Sequence, residues 1–190
     1  MKKIPTLFER DFSPDHRVKA LNKVTPGLEG VLRGEGEATI KVDGTATAMI
    51  DGRFYKRFDA KNGRKIPEGA IECDKPDPVT GHWPHWVPVD WSSKEDCWFV
   101  EAFNNAEQLP FEENATYEAV GPHFNGNPHK LPHDTLWRHG ELKLEIPDRS
   151  YEGIRDFLES HNYEGIVFWK DGRPWCKIKR TDFGFKWPVR

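Results

Sequence analysis

The stretch Glu37-Ala38-Thr39-Ile40-Lys41-Val42-Asp43-Gly44-Thr45 decides how this chain is read. Its centre is Lys-x-Asp-Gly, a lysine inside a run that is otherwise apolar, β-branched and extended. A dry setting disfavours the charged form of an amine, and a neutral amine is a nucleophile. Gly44, three residues on, lets the backbone come close to a bulky ligand. On this reading Lys41 is an amine aimed at a phosphorus or a carbonyl carbon. Four residues alone fit an edge-strand lysine before an Asp-Gly turn better than a nucleophile, so the stretches downstream must decide.

The 190 residues suffice for one domain with a real core, and a single domain over 1–190 is expected, with an irregular N-terminal segment over 1–34. The 8 Trp and 12 Phe point to an aromatic-rich interior, and the 15 Pro and 16 Gly to many turns and short strands. A net charge of -3 gives no global push toward nucleic acid. The charge is uneven, however. Lys170, Arg173, Lys177, Lys179, Arg180, Lys186 and Arg190 face only Asp171 and Asp182, so the C-terminal stretch is basic and suits either a local anionic ligand or a solvated tail. Cys73, Cys97 and Cys176 are odd in number and form no CxxC pair, which argues for a reducing compartment and a cytoplasmic location. Pro5 and polar neighbours interrupt any apolar run at the N-terminus, and no stretch reads as a signal peptide or a membrane span.

The local pattern predicts strands over Thr39–Val42, Ala46–Ile50 and Arg53–Phe58, the last two joined at Asp51-Gly52, with a further turn at Asn62-Gly63. Residues 66–91, with Pro67, Pro76, Pro78, Pro84 and Pro88 among Trp83, Trp86 and Trp91, read as a rigid connection. Ser92-Ser93-Lys94-Glu95 resembles a capping box before a helix over 93–106. A strand follows at Thr116–Val120 and a helix over 150–160, with Tyr151, Ile154, Phe157 and Leu158 on one face. Gly165–Trp169 and Trp175–Arg180 read as a hairpin turned at Asp171-Gly172.

Four stretches in order suit one chemistry: Lys41-Val42-Asp43-Gly44, Phe54-Tyr55-Lys56-Arg57, Thr116-Tyr117-Glu118-Ala119-Val120-Gly121-Pro122, and Glu164-Gly165-Ile166-Val167-Phe168 with Lys177-Ile178-Lys179-Arg180 across the hairpin. This ordered set resembles the covalent nucleotidyltransferases, the superfamily of DNA ligases, RNA ligases and capping enzymes. The longer match looks like the small ATP-dependent RNA ligases of the RNA ligase 1 family. It comprises Thr-Tyr-Glu-x-x-Gly-Pro running into Asn125-Gly126-Asn127-Pro128, Pro76-Asp77-Pro78-x-Thr80-Gly81-His82-Trp83-Pro84 and Lys177-Ile178-Lys179-Arg180. The resemblance covers roughly residues 35–186 and implies an α+β nucleotidyltransferase fold, with antiparallel sheets flanking a nucleotide cleft.

The same resemblance implies ATP, and Mg2+ or Mn2+, as cofactors. It also implies RNA 5′-phosphate and 3′-hydroxyl ends as partners, a lysyl-AMP intermediate on Lys41, and work in RNA repair, with a monomer favoured. Lys177 and Lys179, two apart on a strand, point to one face and can neutralise phosphate. Glu164 is the candidate Mg2+ ligand. Glu118 is expected to accept from the ribose hydroxyls, and Arg57 to offer a fork for a phosphate. Ile40, Asp43 and Gly44 complete the expected nucleotide contacts. Arg57, Arg180, Lys186 and Arg190 are the expected RNA contacts, with Lys61 and Arg64 as a fallback beside Arg57. Trp137 and Phe103 are candidates for stacking on adenine.

Three further readings stand beside these. A capping guanylyltransferase shares the lysine chemistry. A DNA ligase does too, but position 39 is Thr where many DNA ligases have an acid. A binding module of the same fold would hold nucleotide or an RNA end without catalysis, and the presence of Lys41 argues against it. Cys73, His82, His85 and Cys97 supply zinc-ligand types, but at loose spacing and in a Trp-Pro context that reads as packing. His123, His129, His133 and His139 read as polar loop residues. The chain ends eleven residues after Lys179, so no accessory domain is expected after the Lys-x-Lys strand.

Overall fold

The structure, a computed structural model, describes residues 3–13, 19–60, 64–78, 80–106 and 111–189. In chain order the elements are β1 (Phe8–Arg10), β2 (Ala20–Val24), α1 (Glu29–Leu32), β3 (Glu37–Lys41), β4 (Thr45–Ile50), β5 (Arg53–Ala60), β6 (Ile71–Glu72) and β7 (Trp83–Pro88). There follow α2 (Cys97–Asn104), β8 (Thr116–Val120), β9 (Thr135–Arg138), β10 (Lys143–Leu144), α3 (Tyr151–Ser160), β11 (Gly165–Lys170), β12 (Arg173–Lys179) and a 3-10 turn at Arg180–Phe183. Sheets dominate and helices are few, which agrees with an α+β class. The chain forms two compact units, Met1–Lys3 with Asp43–His139, and Ile4–Val42 with Gly140–Arg190. It passes from one to the other inside Lys-x-Asp-Gly. No helix among the described residues is long and apolar enough to cross a membrane.

The unit that carries Lys41 is built on an antiparallel sheet in the order β10-β3-β11-β12. The β11–β12 hairpin turns at Asp171-Gly172, both at positive φ (51° and 70°), the geometry that Asp-Gly favours. Period-2 alternation then sorts the side chains. Ala38, Ile166, Phe168, Cys176 and Ile178 enter a core with Leu7, Val31, Ile154 and Leu158. α3 begins where the Ser150 hydroxyl accepts the Gly153 N–H at 3.0 Å, and it buries Ile154 and Leu158 at i, i+4. In the N-terminal segment β1 and β2 pair with each other. The chain just before β1 lies along β12: the Lys177 N–H donates to Pro5 O and the Leu7 N–H to Lys177 O.

The other unit holds the sheet β6-β7-β5-β4-β8-β9. Asp51 and Gly52 make the expected hairpin, again at positive φ. One face, with Met49, Phe54, Tyr117 and Ala119, packs under α2 and its fully buried Ala102. The other face carries Ala48, Tyr55 and Trp86, with Ala46 and Ile50 against them.

Three local expectations change. Residues 66–91 are not only a connection, because β6 and β7 lie within them. Pro84 lacks a donor, but its carbonyl still accepts the Cys73 N–H at 2.9 Å, and β6 is too short to demand more. α2 starts later than 93, and the Ser92–Glu95 box does not form. Ser92 is drawn to the Asp90 carboxylate instead, and Asp96, at the N-cap, uses its side chain on Lys56 and the Asp90 N–H. β9 and β10 add two strands that the local pattern does not announce. The Asn62-Gly63 turn lies outside the described residues, as do Lys61 and Arg190.

Candidate active site

In the Lys41 unit the register aligns three positions across three strands, Lys41 beside Gly165 and Gly165 beside Lys179. Directly paired residues share a face, so both lysines project from the side of the sheet away from Ile166 and Ile178. Gly165 belongs in that row for a steric reason: a Cβ there would stand 2.2 Å from Ile178 O. Glu164, the residue before it, is buried and spans the row. Its Oε2 lies 2.5 Å from Lys41 Nζ and its Oε1 3.0 Å from Lys179 Nζ. Two ammonium groups thus share one carboxylate, leaving a net local charge of +1 in a partly dry setting. That is a natural seat for a phosphate.

Lys177 shares the parity of Lys179 and pairs with Val167, while Ile178 between them is fully buried. Thr39, also on the Lys41 face, is buried, with its hydroxyl donating to Val167 O and accepting from Trp169 Nε1. Ile40 pairs with Ile166 on the core side, away from Lys41.

Arg180, expected as an RNA contact, does not lie on the surface. It is buried, and its guanidinium donates to the carbonyls of Leu158, His161 and Lys186. It ties the C-terminal end of α3 to the chain after β12, a structural use that positive charge alone does not reveal. Lys186 remains exposed.

In the other unit Gly44 is needed for a reason different from ligand approach. A Cβ there would sit 2.2 Å from Ala119 O, so the glycine lets β8 close in. Glu118 is largely buried. Its Oε1 accepts the Gly44 N–H at 3.1 Å, and its Oε2 lies 2.7 Å from His139 Nε2. A carboxylate only accepts, so Nε2 carries the proton, and His139 Nδ1 lies 2.9 Å from the Thr116 hydroxyl. Each Glu118 oxygen keeps a further lone pair for a donor such as a sugar hydroxyl. Trp137 pairs with Glu118 across β8 and β9.

The Asp43-Gly44 turn is held by the loop after β8. Asn125 Nδ2 donates to Asp43 Oδ1 at 2.9 Å and to Gly44 O at 2.7 Å, and the Asp43 N–H donates to His129 Nε2 at 3.1 Å. Arg57 binds Asp59 and lies 5.9 Å above the Trp86 ring. Phe103, a candidate for stacking on adenine, packs its ring against Phe54, Trp91 and Phe111.

Sequence reasoning missed His139, Asn125 and His129 as site residues. Asn125 had a signal in Asn-Gly-Asn-Pro, whereas His139 depends on a β8–β9 pairing that no local pattern announces. Of the zinc-type residues, His85 bonds Trp83 O and Cys97 is exposed. Among the described residues no three His, Cys, Asp or Glu side chains gather as a metal site.

No family model matches the chain. Curated proteins do: "RNA ligase 1" of Danio rerio is 28% identical over 208 aligned positions, covering 83% of this chain and 64% of that protein. The chain is thus similar, at low identity, to proteins named RNA ligase 1. Those of Mus musculus and Rattus norvegicus are 25% and 24% identical, again over 83% of this chain. The chain spans less than two thirds of the length of these relatives, 63–64%.

The ligase resemblance also implies Mg2+, and Glu164 is the residue to test for it. It is one carboxylate with an ammonium on each oxygen. Mg2+ keeps several waters and is bound by one or two carboxylates plus substrate phosphates, not by an all-protein cage. Glu164 fits an ion that arrives with a nucleotide, whose phosphates would draw the two lysines off the carboxylate.

Proposed function

We propose that this protein is an ATP-dependent RNA ligase that joins RNA 5′-phosphate and 3′-hydroxyl ends through a lysyl-AMP intermediate. The observation that carries this reading is the Glu164 carboxylate shared by Lys41 and Lys179, taken with the RNA ligase 1 relatives. Lys41 loses its proton and attacks the α-phosphorus of ATP. The N–P bond forms, the bond to the bridging oxygen breaks, and pyrophosphate leaves. An oxygen of the RNA 5′-phosphate then takes AMP from the lysine, and a 3′-hydroxyl displaces AMP to close the phosphodiester.

Lys177 and Lys179 neutralise charge on the transferring phosphate, the largest kind of contribution in such chemistry. Glu118, oriented by His139 and the Gly44 N–H, accepts from the ribose hydroxyls. Arg57 and the exposed Lys186 are the proposed RNA contacts. Mg2+, when bound, offsets charge on phosphate oxygens.

The test is incubation with ATP labelled at the α-phosphate, followed by a denaturing gel. Wild type should retain label and Lys41→Ala should not. Equal labelling of the variant moves the nucleophile elsewhere, and label from GTP in place of ATP turns the reading to a capping enzyme.

A further inference from the structure

Trp98 lies in the first turn of α2, yet its indole does not join Phe99, Phe103 and Phe111 against the core. It is 42% exposed, and it lies flat on the His123 imidazole, with centroids 3.4 Å apart and planes within 4°. An indole left in water gives up burial that favours folding, so its position calls for a reason.

The imidazole beneath it is fixed. His123 Nδ1 is 2.6 Å from Asp134 Oδ2, and the His123 backbone N–H donates to Asp134 Oδ1 at 3.1 Å. Asp134 is fully buried. Gly121 makes the close approach possible, since a Cβ there would stand 2.4 Å from Asp134 Oδ1. A buried carboxylate is costly to keep and serves orientation better than stability; here it sets one surface ring in one plane. The loop that presents His123 also carries Asn125, which grips Asp43 and Gly44.

We propose that the Trp98–His123 stack is a platform for an unpaired base of the RNA substrate; this rests on the RNA-ligase reading. A flat, prearranged π surface suits a nucleobase, which would add a third layer whatever its identity. A protein partner is disfavoured, because Lys94 and Glu95, four and three residues before Trp98, are exposed and charged, and charged residues are depleted from the cores of protein interfaces.

The experiment compares a short 5′-phosphorylated single-stranded RNA with an abasic strand of the same length, by fluorescence anisotropy, alongside self-labelling with ATP. Wild type should prefer the base-bearing strand. Trp98→Ala should weaken that strand's binding about 5- to 100-fold, bind the abasic strand as wild type does, and label itself with ATP at the wild-type rate. Trp98→Phe, which keeps a ring, should recover most of the affinity. The platform is overturned if Trp98→Ala binds the base-bearing strand as tightly as wild type, or if wild type shows no preference for bases. A raised ATP requirement in Trp98→Ala would also overturn it, by assigning the stack to adenine. Loss of the ligase reading looks different: wild type then fails to form a Lys41-dependent adduct at all.

Discussion

Lys41 Nζ lies 2.5 Å from Glu164 Oε2, although the two residues are 123 positions apart in the chain. The other oxygen of the same carboxylate holds Lys179. Removing one partner of a partly buried ion cluster exposes like charges to one another.

Glu164→Gln keeps the shape and deletes the charge, leaving two ammonium groups side by side. The expected variant folds, labels itself with ATP about 10- to 1000-fold more slowly, and needs more Mg2+ to reach its maximum. A Mg2+ titration of the single-turnover labelling rate reads both effects. An unchanged rate and titration would leave Glu164 as an ion-pair partner only.

The basic C-terminal stretch should divide by function. Lys179→Ala should lose self-labelling, because its ammonium faces the same carboxylate as Lys41. A double Lys186→Ala, Arg190→Ala variant should label normally but seal RNA poorly. The salt dependence of its RNA binding should be shallower by about 0.7 in log–log slope for each phosphate that is no longer neutralised. Both assays across a salt series check this. If the double variant seals like wild type at every salt, RNA is held elsewhere, with Arg57 and Arg64 the next residues to change.

His139 acts through Glu118. His139→Ala frees one carboxylate oxygen and leaves the Thr116 hydroxyl without its ring partner, at a stability cost of about 1–3 kcal/mol. If Glu118 reads the ribose, the variant should discriminate less between ATP and 2′-deoxy-ATP, mainly through KM. Loss of stability with undiminished discrimination would confine His139 to a structural role.

Burial pushes the Cys176 thiol from 9.0 up to about 12. The folded state therefore keeps the proton that the unfolded chain gives up first, so stability from this group is intact below about pH 9 and drains away as pH rises toward 12. Tyr151, raised by burial in the same core, acts in the same direction. Melting temperature should fall across this range, and less steeply in Cys176→Ala. Alkylation gives a second reading: exposed Cys97 should react in the native protein and Cys176 only in denaturant. Rapid native labelling of Cys176 would contradict its burial.

Much of this protein was legible in the chain because the rules involved are short-range. Asp51-Gly52 and Asp171-Gly172 carry their own turn chemistry, alternation puts Ile178 inward between Lys177 and Lys179, and the spacing of Ile154 and Leu158 marks the buried face of α3. The order of Lys-x-Asp-Gly, the Glu118 strand and the Glu164–Lys179 hairpin was likewise visible as sequence. Only tertiary structure could set the β3–β11 register, since strands more than a hundred residues apart are aligned by what they bury together, not by a local signal. That register puts one carboxylate between Lys41 and Lys179. Tertiary structure also turned Arg180 inward, where α3 offered bare carbonyls, and brought His139 to Glu118 through β9. It gave Gly44 its steric reason in the closeness of β8. Charge and residue type name what a side chain can do; the packing of distant segments decides which partner it meets.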